Sequence, residues 1–78
     1  MEFLVDLNKV EDVKTFVRFA ELYDTDIIVR NQDKKFAIDG SSIMGLFSLD
    51  LSRLVVVHIE DVAIGERFKN DVVDFVVE

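Results

Sequence analysis

The first third of the chain shows two hydrophobic periods in succession. Residues 3–7 alternate around Phe3, Val5 and Leu7, which predicts a half-buried first strand. Apolar residues then recur every three or four positions, which predicts a helix with one buried stripe formed by Val10, Val13, Phe16, Val17 and Ala20. Asn8 stands three residues before Glu11, so we expect a capping box to start this helix at Asn8.

A hairpin and a short helix are predicted next. The β-branched segment 26–30 and the alternating segment 36–39 flank the polar stretch 31–35, which is typical of two strands joined by a turn. Gly40 ends the second of these strands, and Ser41 or Ser42 can then cap an apolar helix over 43–49. Gly45 weakens that helix by about 1 kcal/mol relative to alanine.

The last third of the chain predicts a strand and a helix. Residues 54–60 alternate, with Val55, Val57 and Ile59 on one face. Residues 66–77 have helical spacing at Phe68, Val72, Phe75 and Val76, although the valine pairs also suit a strand. The order βαββαβα predicts an α+β fold over residues 1–78 as one domain, with three helices on one face of a four-stranded antiparallel sheet.

Amino-acid composition indicates the cellular compartment and the class of binding partner to expect. Half of the residues are hydrophobic, which supplies a core for a 78-residue domain, and the absence of cysteine favours a reducing, cytoplasmic compartment. The net charge of −7 repels nucleic acid and anionic membranes, so a protein partner with a basic face is expected instead. The longest apolar run, 54–57, is far shorter than the roughly 20 residues of a spanning helix.

Residues suited to catalysis or metal binding are sparse. The sequence has one histidine, no cysteine and no glycine-rich phosphate loop, so we expect no enzyme activity, no metal and no cofactor. His58 is the side chain whose ordinary titration lies near neutrality. Its place within a predicted strand favours an outer-face position, without a helix N-terminus behind it to hold phosphate.

One segment resembles a known family. The stretch Ser41-Ser42-Ile43-Met44-Gly45-Leu46-Phe47-Ser48-Leu49 is similar to the regulatory-serine helix of HPr, the histidine phosphocarrier of the bacterial sugar phosphotransferase system. Residues 16–20 followed by 26–29 resemble the first helix and second strand of that family. The resemblance implies an open-faced β-sandwich and a role connected with that system.

The phosphocarrier site of the family is not matched. The resemblance aligns Lys9 with the active histidine, Glu11 with the following arginine and Asp12 with the proline. An ammonium is a poor nucleophile at neutral pH, and Glu11 would repel a dianionic phosphate. The chain is therefore expected to lack histidine phosphoryl transfer.

The resemblance also marks the short helix as a site. Ser42 falls at the position of the regulatory serine that some members present to a kinase, although it can equally be a plain N-cap. Ile43, Met44 and Phe47 match the apolar residues with which the family docks on protein partners, while Leu46 and Leu49 are expected in the core.

Three functions follow from these observations. We favour a non-transferring interaction or regulatory domain that uses Ile43, Met44 and Phe47. A working phosphocarrier would have to use another residue, and His58 is the available histidine. A structural role would pair two copies through the outer sheet face, where we expect Leu4, Ile28, Val56 and His58.

Overall fold

A computed structural model describes residues 1–33 and 36–77. The elements in chain order are β1 (Glu2–Val5), α1 (Val10–Glu21), β2 (Ile28–Asn31), β3 (Ala37–Asp39), α2 (Ile43–Phe47), β4 (Val55–His58), α3 (Val62–Asp71), a 3-10 turn (Val73–Phe75) and β5 (Val76–Val77). The predicted α+β class is therefore confirmed. Two residues of the predicted 31–35 turn, Lys34 and Lys35, lie outside the described residues.

The strands form one antiparallel sheet with the spatial order β3-β2-β4-β1-β5. The predicted hairpin of β2 and β3 is confirmed, with Val29 opposite Ile38. Within the described residues the sheet has five strands rather than the four predicted. The additional strand comes from the end of the chain, where Val76 pairs with Val5 and Val77 pairs with Leu4.

All three helices contribute to one core on one face of the sheet. Alternate strand residues supply the sheet side of that core, and the helices supply its other side. The helix residues buried there are Val13, Phe16, Val17, Ala20, Leu46 and Phe68. Phe68 stacks edge-to-face with Phe16, with ring centroids 5.3 Å apart, and with Tyr23 at 5.4 Å, so α3 is held against α1 by an aromatic row.

The start of α1 differs from the prediction. Its N-cap is Lys9, which makes no side-chain capping hydrogen bond, so the capping box of Asn8 and Glu11 is wrong. The backbone N–H of Asn8 donates instead to Asp6 Oδ1 at 3.2 Å, which holds Asn8 in the turn before the helix. Val10 is 54% exposed because it lies in the first turn, before the buried stripe begins.

The last helix also differs from the prediction. It begins at Val62, where Asp61 Oδ1 accepts a hydrogen bond from the backbone N–H of Ile64, and it ends at Asp71. The helix predicted over 66–77 is thus shifted towards the N-terminus, and its last residues form β5. Without β5, the backbone groups on this edge of β1 would have no strand partner. Pairing with β5 satisfies them, and next to it the backbone N–H of Asp6 donates to the carbonyl of Phe75 at 2.8 Å.

Candidate functional site

The tip of α1 carries the residues aligned with the family's phosphocarrier site. Lys9 and Glu11 are exposed and Asp12 is half-buried, all within the cap and first turn of the helix. The carbonyl of Lys9 accepts hydrogen bonds from the backbone N–H groups of Asp12 and Val13 at 3.0 and 3.1 Å. Carboxylates in a first turn suit the positive end of the helix dipole, which is an ordinary structural role.

His58 lies on the sheet face that the helices leave open. It is paired with Ile28 on one side and with Glu2 on the other. Its Nδ1 lies 3.2 Å from Glu2 Oε2, and its Nε2 lies 3.0 Å from Glu60 Oε2. Both ring nitrogens therefore face carboxylates, and His58 is not at the tip of α1.

The open face also carries the residues that were expected to pair two copies. Leu4 and Arg30 flank Val56 in register on either side of β4. Arg30 reaches across β4 to Glu2, with 3.7 Å between Nη2 and Oε1. Val56 is only 7% exposed although it lies on this face, between Leu4 and Arg30 in the register of the central strand.

Helix α2 is started by Ser42. Ser42 Oγ accepts a hydrogen bond from the backbone N–H of Gly45 at 3.1 Å, and Ser42 has the extended backbone of an N-cap. A β-carbon at Gly45 would lie 3.0 Å from that Oγ and 3.2 Å from Ile38 Cδ1, so glycine allows the close approach of helix, cap and strand. Of the two predicted caps, the structure selects Ser42.

The apolar residues of α2 divide between the core and the surface. Leu46 is fully buried and Leu49 is 8% exposed, as expected. Ile43, predicted as a partner-binding residue, is half-buried against the core. Met44 is 82% exposed and Phe47 is 47% exposed, and we call these two side chains the α2 patch.

Two carboxylates lie at the ends of the α2 segment, Asp39 before it and Asp50 after it. The backbone N–H and the hydroxyl of Ser41 both donate to Asp39 Oδ1. These two hydrogen bonds, the backbone one having the larger effect, hold the pKa of the Asp39 carboxyl below its ordinary value. Asp50 is anchored through its backbone by Asn31, whose Nδ2 donates to the Asp50 carbonyl at 2.9 Å and whose Oδ1 accepts from the Asp50 N–H at 3.1 Å.

Asn31 connects β2 to the segment after α2, a role that the sequence analysis did not predict. It was predicted in a polar turn, but it ends β2 and is 5% exposed, and both its amide nitrogen and its amide oxygen bond the Asp50 backbone. The chain that leaves α2 is thereby tied to the sheet. A lone asparagine in a polar stretch gives no sequence signal for such a contact.

Another exposed apolar residue, Leu22, lies at the C-terminal end of α1. Leu22 is 77% exposed and borders two shallow depressions, one of about 590 Å³ beside Phe19 and Arg18, the other of about 440 Å³ beside Ile64 and Arg67. Its position off the buried stripe of α1 was the sequence signal for this exposure. Within residues 1–33 and 36–77, no cluster of histidine or carboxylate side chains could hold a metal ion.

Comparison with known proteins assigns no family. No protein-family model matches the chain, and no curated protein matches it. Among the described residues, no helix is long and apolar enough to cross a membrane.

Proposed function

We propose that this chain is an HPr-like protein-interaction or regulatory domain of the cytoplasm that docks through the α2 patch and does not carry phosphate on histidine. The observation that supports it best is the exposure of Met44 at 82% and of Phe47 at 47%. Methionine adapts its shape to an apolar pocket, and a partner that buries a fully exposed side chain of this size gains about 1.5–3 kcal/mol, of which roughly half is left for Phe47.

The resemblance that carries the family proposal lies in the same helix. The sheet order β3-β2-β4-β1 with helices on one face is compatible with an HPr-like open-faced sandwich, to which β5 adds an edge. A link to the sugar phosphotransferase system is part of the proposal. Ser42 stays a candidate for regulatory phosphorylation, and its hydroxyl already serves as the cap of α2.

The alternative of a phosphocarrier that uses His58 has less support. A phosphorylated imidazole carries two negative charges, and Glu2 and Glu60 lie 3.2 and 3.0 Å from its ring nitrogens. At such distances like charges oppose the adduct even in a high dielectric. No enzymatic reaction is proposed for the domain.

A phosphorylation assay separates the two functions. The protein is incubated with phosphoenolpyruvate and the first enzyme of the phosphotransferase system, with a histidine-bearing HPr as the positive control. We expect an acid-labile phosphoryl adduct on the control and none on this chain. An adduct that maps to His58 and disappears in His58→Ala would refute the proposal.

A binding assay tests the α2 patch directly. Immobilised wild type is compared with Met44→Glu and Phe47→Glu, which place a charge in the patch at exposed positions and so leave the core intact. Leu22→Glu is the matched control because it makes the same apolar-to-acidic change at an exposed residue, the C-cap of α1. Partners should be lost from the first two variants and kept by the third; equal recovery on all of them contradicts docking through α2.

A further inference from the structure

The two methionines of the chain lie in different surroundings. Met44 is 82% exposed on α2. Met1 is half-buried against the core, and a β-carbon built at Gly65 would lie 2.6 Å from the Cγ and Sδ atoms of Met1, so this thioether lies against the backbone of α3. An oxidant in solution therefore reaches Met44 more easily than Met1.

Peroxide has few other targets in this chain. The sequence contains no cysteine and no tryptophan, so thioethers are the side chains that a peroxide oxidises most readily. In that reaction the sulfur takes one oxygen atom from hydrogen peroxide: an S–O bond forms, the O–O bond breaks, the sulfur is oxidised and the other oxygen leaves as water. The product, methionine sulfoxide, is polar and chiral where the thioether was apolar.

Met44 is the more exposed of the two side chains in the α2 patch. Phe47 follows it by three residues, so the two are neighbours on one side of the helix. A partner gains affinity by burying this apolar surface, whereas a sulfoxide oxygen needs a hydrogen bond before it can enter the same pocket. Leu46 is the residue by which α2 is anchored in the core, so oxidation of Met44 changes the patch and leaves the fold in place.

We propose that Met44 is a redox-modification site, at which oxidation to the sulfoxide by hydrogen peroxide turns off docking through the α2 patch. This inference rests on the proposed docking and adds its regulation. The modification is reversible, because methionine sulfoxide reductases return the thioether. In the return step the sulfoxide oxygen leaves as water while a dithiol is oxidised to a disulfide.

Peptide mapping by mass spectrometry tests the site. The folded protein is treated with hydrogen peroxide, and the fraction of each methionine that has gained one oxygen atom is followed over time. Met44 should be oxidised several-fold faster than Met1, and the two rates should become similar in urea, because unfolding exposes both side chains. Similar rates in the folded protein, or a lower urea midpoint once Met44 alone is oxidised, overturn the proposal.

A designed peptide tests the effect on docking. The probe is an amphipathic helix with a leucine face and a glutamine polar face, and backbone amide chemical shifts of the intact protein report its affinity and locate the contact. Oxidation of Met44 should weaken binding at α2 about tenfold, since the apolar burial of one large side chain is lost. Treatment with a methionine sulfoxide reductase and dithiothreitol should restore the original affinity.

Met44→Leu is the control that isolates Met1. This variant keeps Met1 as its only methionine, so peroxide should not change its affinity for the peptide. A loss of affinity in peroxide-treated Met44→Leu assigns the effect to Met1 and overturns the proposal.

The remaining outcomes separate regulation from docking. Binding at α2 that survives complete oxidation of Met44 overturns the regulation and leaves docking through the patch in place. A peptide that shifts no residue of α2 before any treatment counts against docking itself, and the regulation fails with it.

Discussion

The aromatic row of Phe16, Phe68 and Tyr23 sets how firmly α3 is held on α1, and Phe68→Leu tests its weight. Phe68 is fully buried and makes two edge-to-face contacts, at 5.3 and 5.4 Å between ring centroids. Each contact contributes about 0.5–1.5 kcal/mol beyond burial, and the atoms removed leave a void that costs about 1 kcal/mol. The variant should therefore lose about 2–4 kcal/mol of unfolding free energy.

That loss is large for a chain of this size. At about 0.05–0.15 kcal/mol per residue, 78 residues supply roughly 4–12 kcal/mol in total. A loss of 2–4 kcal/mol should lower the Tm by roughly 8–32 °C, since each kcal/mol shifts a domain of this length by about 4–8 °C. Urea denaturation followed by far-ultraviolet circular dichroism gives the free energy, and a thermal scan gives the Tm.

Phe36→Leu is the control for Phe68→Leu. Phe36 is 61% exposed, so the same exchange should change stability by less than about 0.5 kcal/mol. Tyr23→Leu and the double variant complete a cycle in which the coupling between Tyr23 and Phe68 should be about 0.5–1.5 kcal/mol. If Phe68→Leu is no more destabilising than Phe36→Leu, the aromatic row does not hold α3 and the reasoning fails.

Three further predictions concern pH and close packing. The pKa of Tyr23 is raised, chiefly by burial and also by its hydrogen bond to Asp71. The protonated phenol therefore stabilises the folded state fully below about pH 10, and this contribution is lost as the pH rises further. Tyr23→Phe should show a smaller fall in the urea midpoint at alkaline pH. The pKa of Asp39 is lowered by the backbone N–H and the hydroxyl of Ser41, so its carboxylate stabilises the folded state above about pH 4 and this contribution is lost on acidification. In Asp39→Asn the urea midpoint should therefore fall less steeply between about pH 5 and 2. An unchanged dependence of the midpoint on pH would contradict this. Gly40→Ala should lower the free energy of unfolding by about 1–3 kcal/mol, because the added β-carbon would lie 3.0 Å from the Ile27 carbonyl oxygen. An unchanged midpoint in urea denaturation would show that the backbone at Ile27 shifts without cost.

Short-range patterns in the sequence were enough to predict much of the fold. The stripe of α1 from Val13 to Ala20 is buried, β2 and β3 form the predicted hairpin, and Ser42 caps α2. Each of these features depends on residues no more than 11 positions apart, as in the pairing of Ile28 with Asp39, so the local pattern carries the information. The exposure of Met44 and Phe47 followed from the resemblance, whereas the half-burial of Ile43 required the packed core.

The surroundings of the candidate sites depended on distant residues. Glu2 meets His58 across 56 positions, and Asn31 meets Asp50 across 19, so neither contact leaves a local signal. The position of His58, by contrast, was predicted from the strand pattern of residues 54–60, and the structure places it on the open face of the sheet.

The end of the chain shows most clearly what each level decided. By itself, the sequence placed Val72 and Val76 on an apolar stripe, but the hydrophobicity of the two valine pairs suits either a helix or a strand. Only the tertiary structure decided between them: Val76 and Val77 meet the open edge of β1, and pairing satisfies backbone groups on both segments. Periodicity predicts which side chains are buried, but backbone hydrogen-bond partners far along the chain decide whether those residues form a helix or a strand.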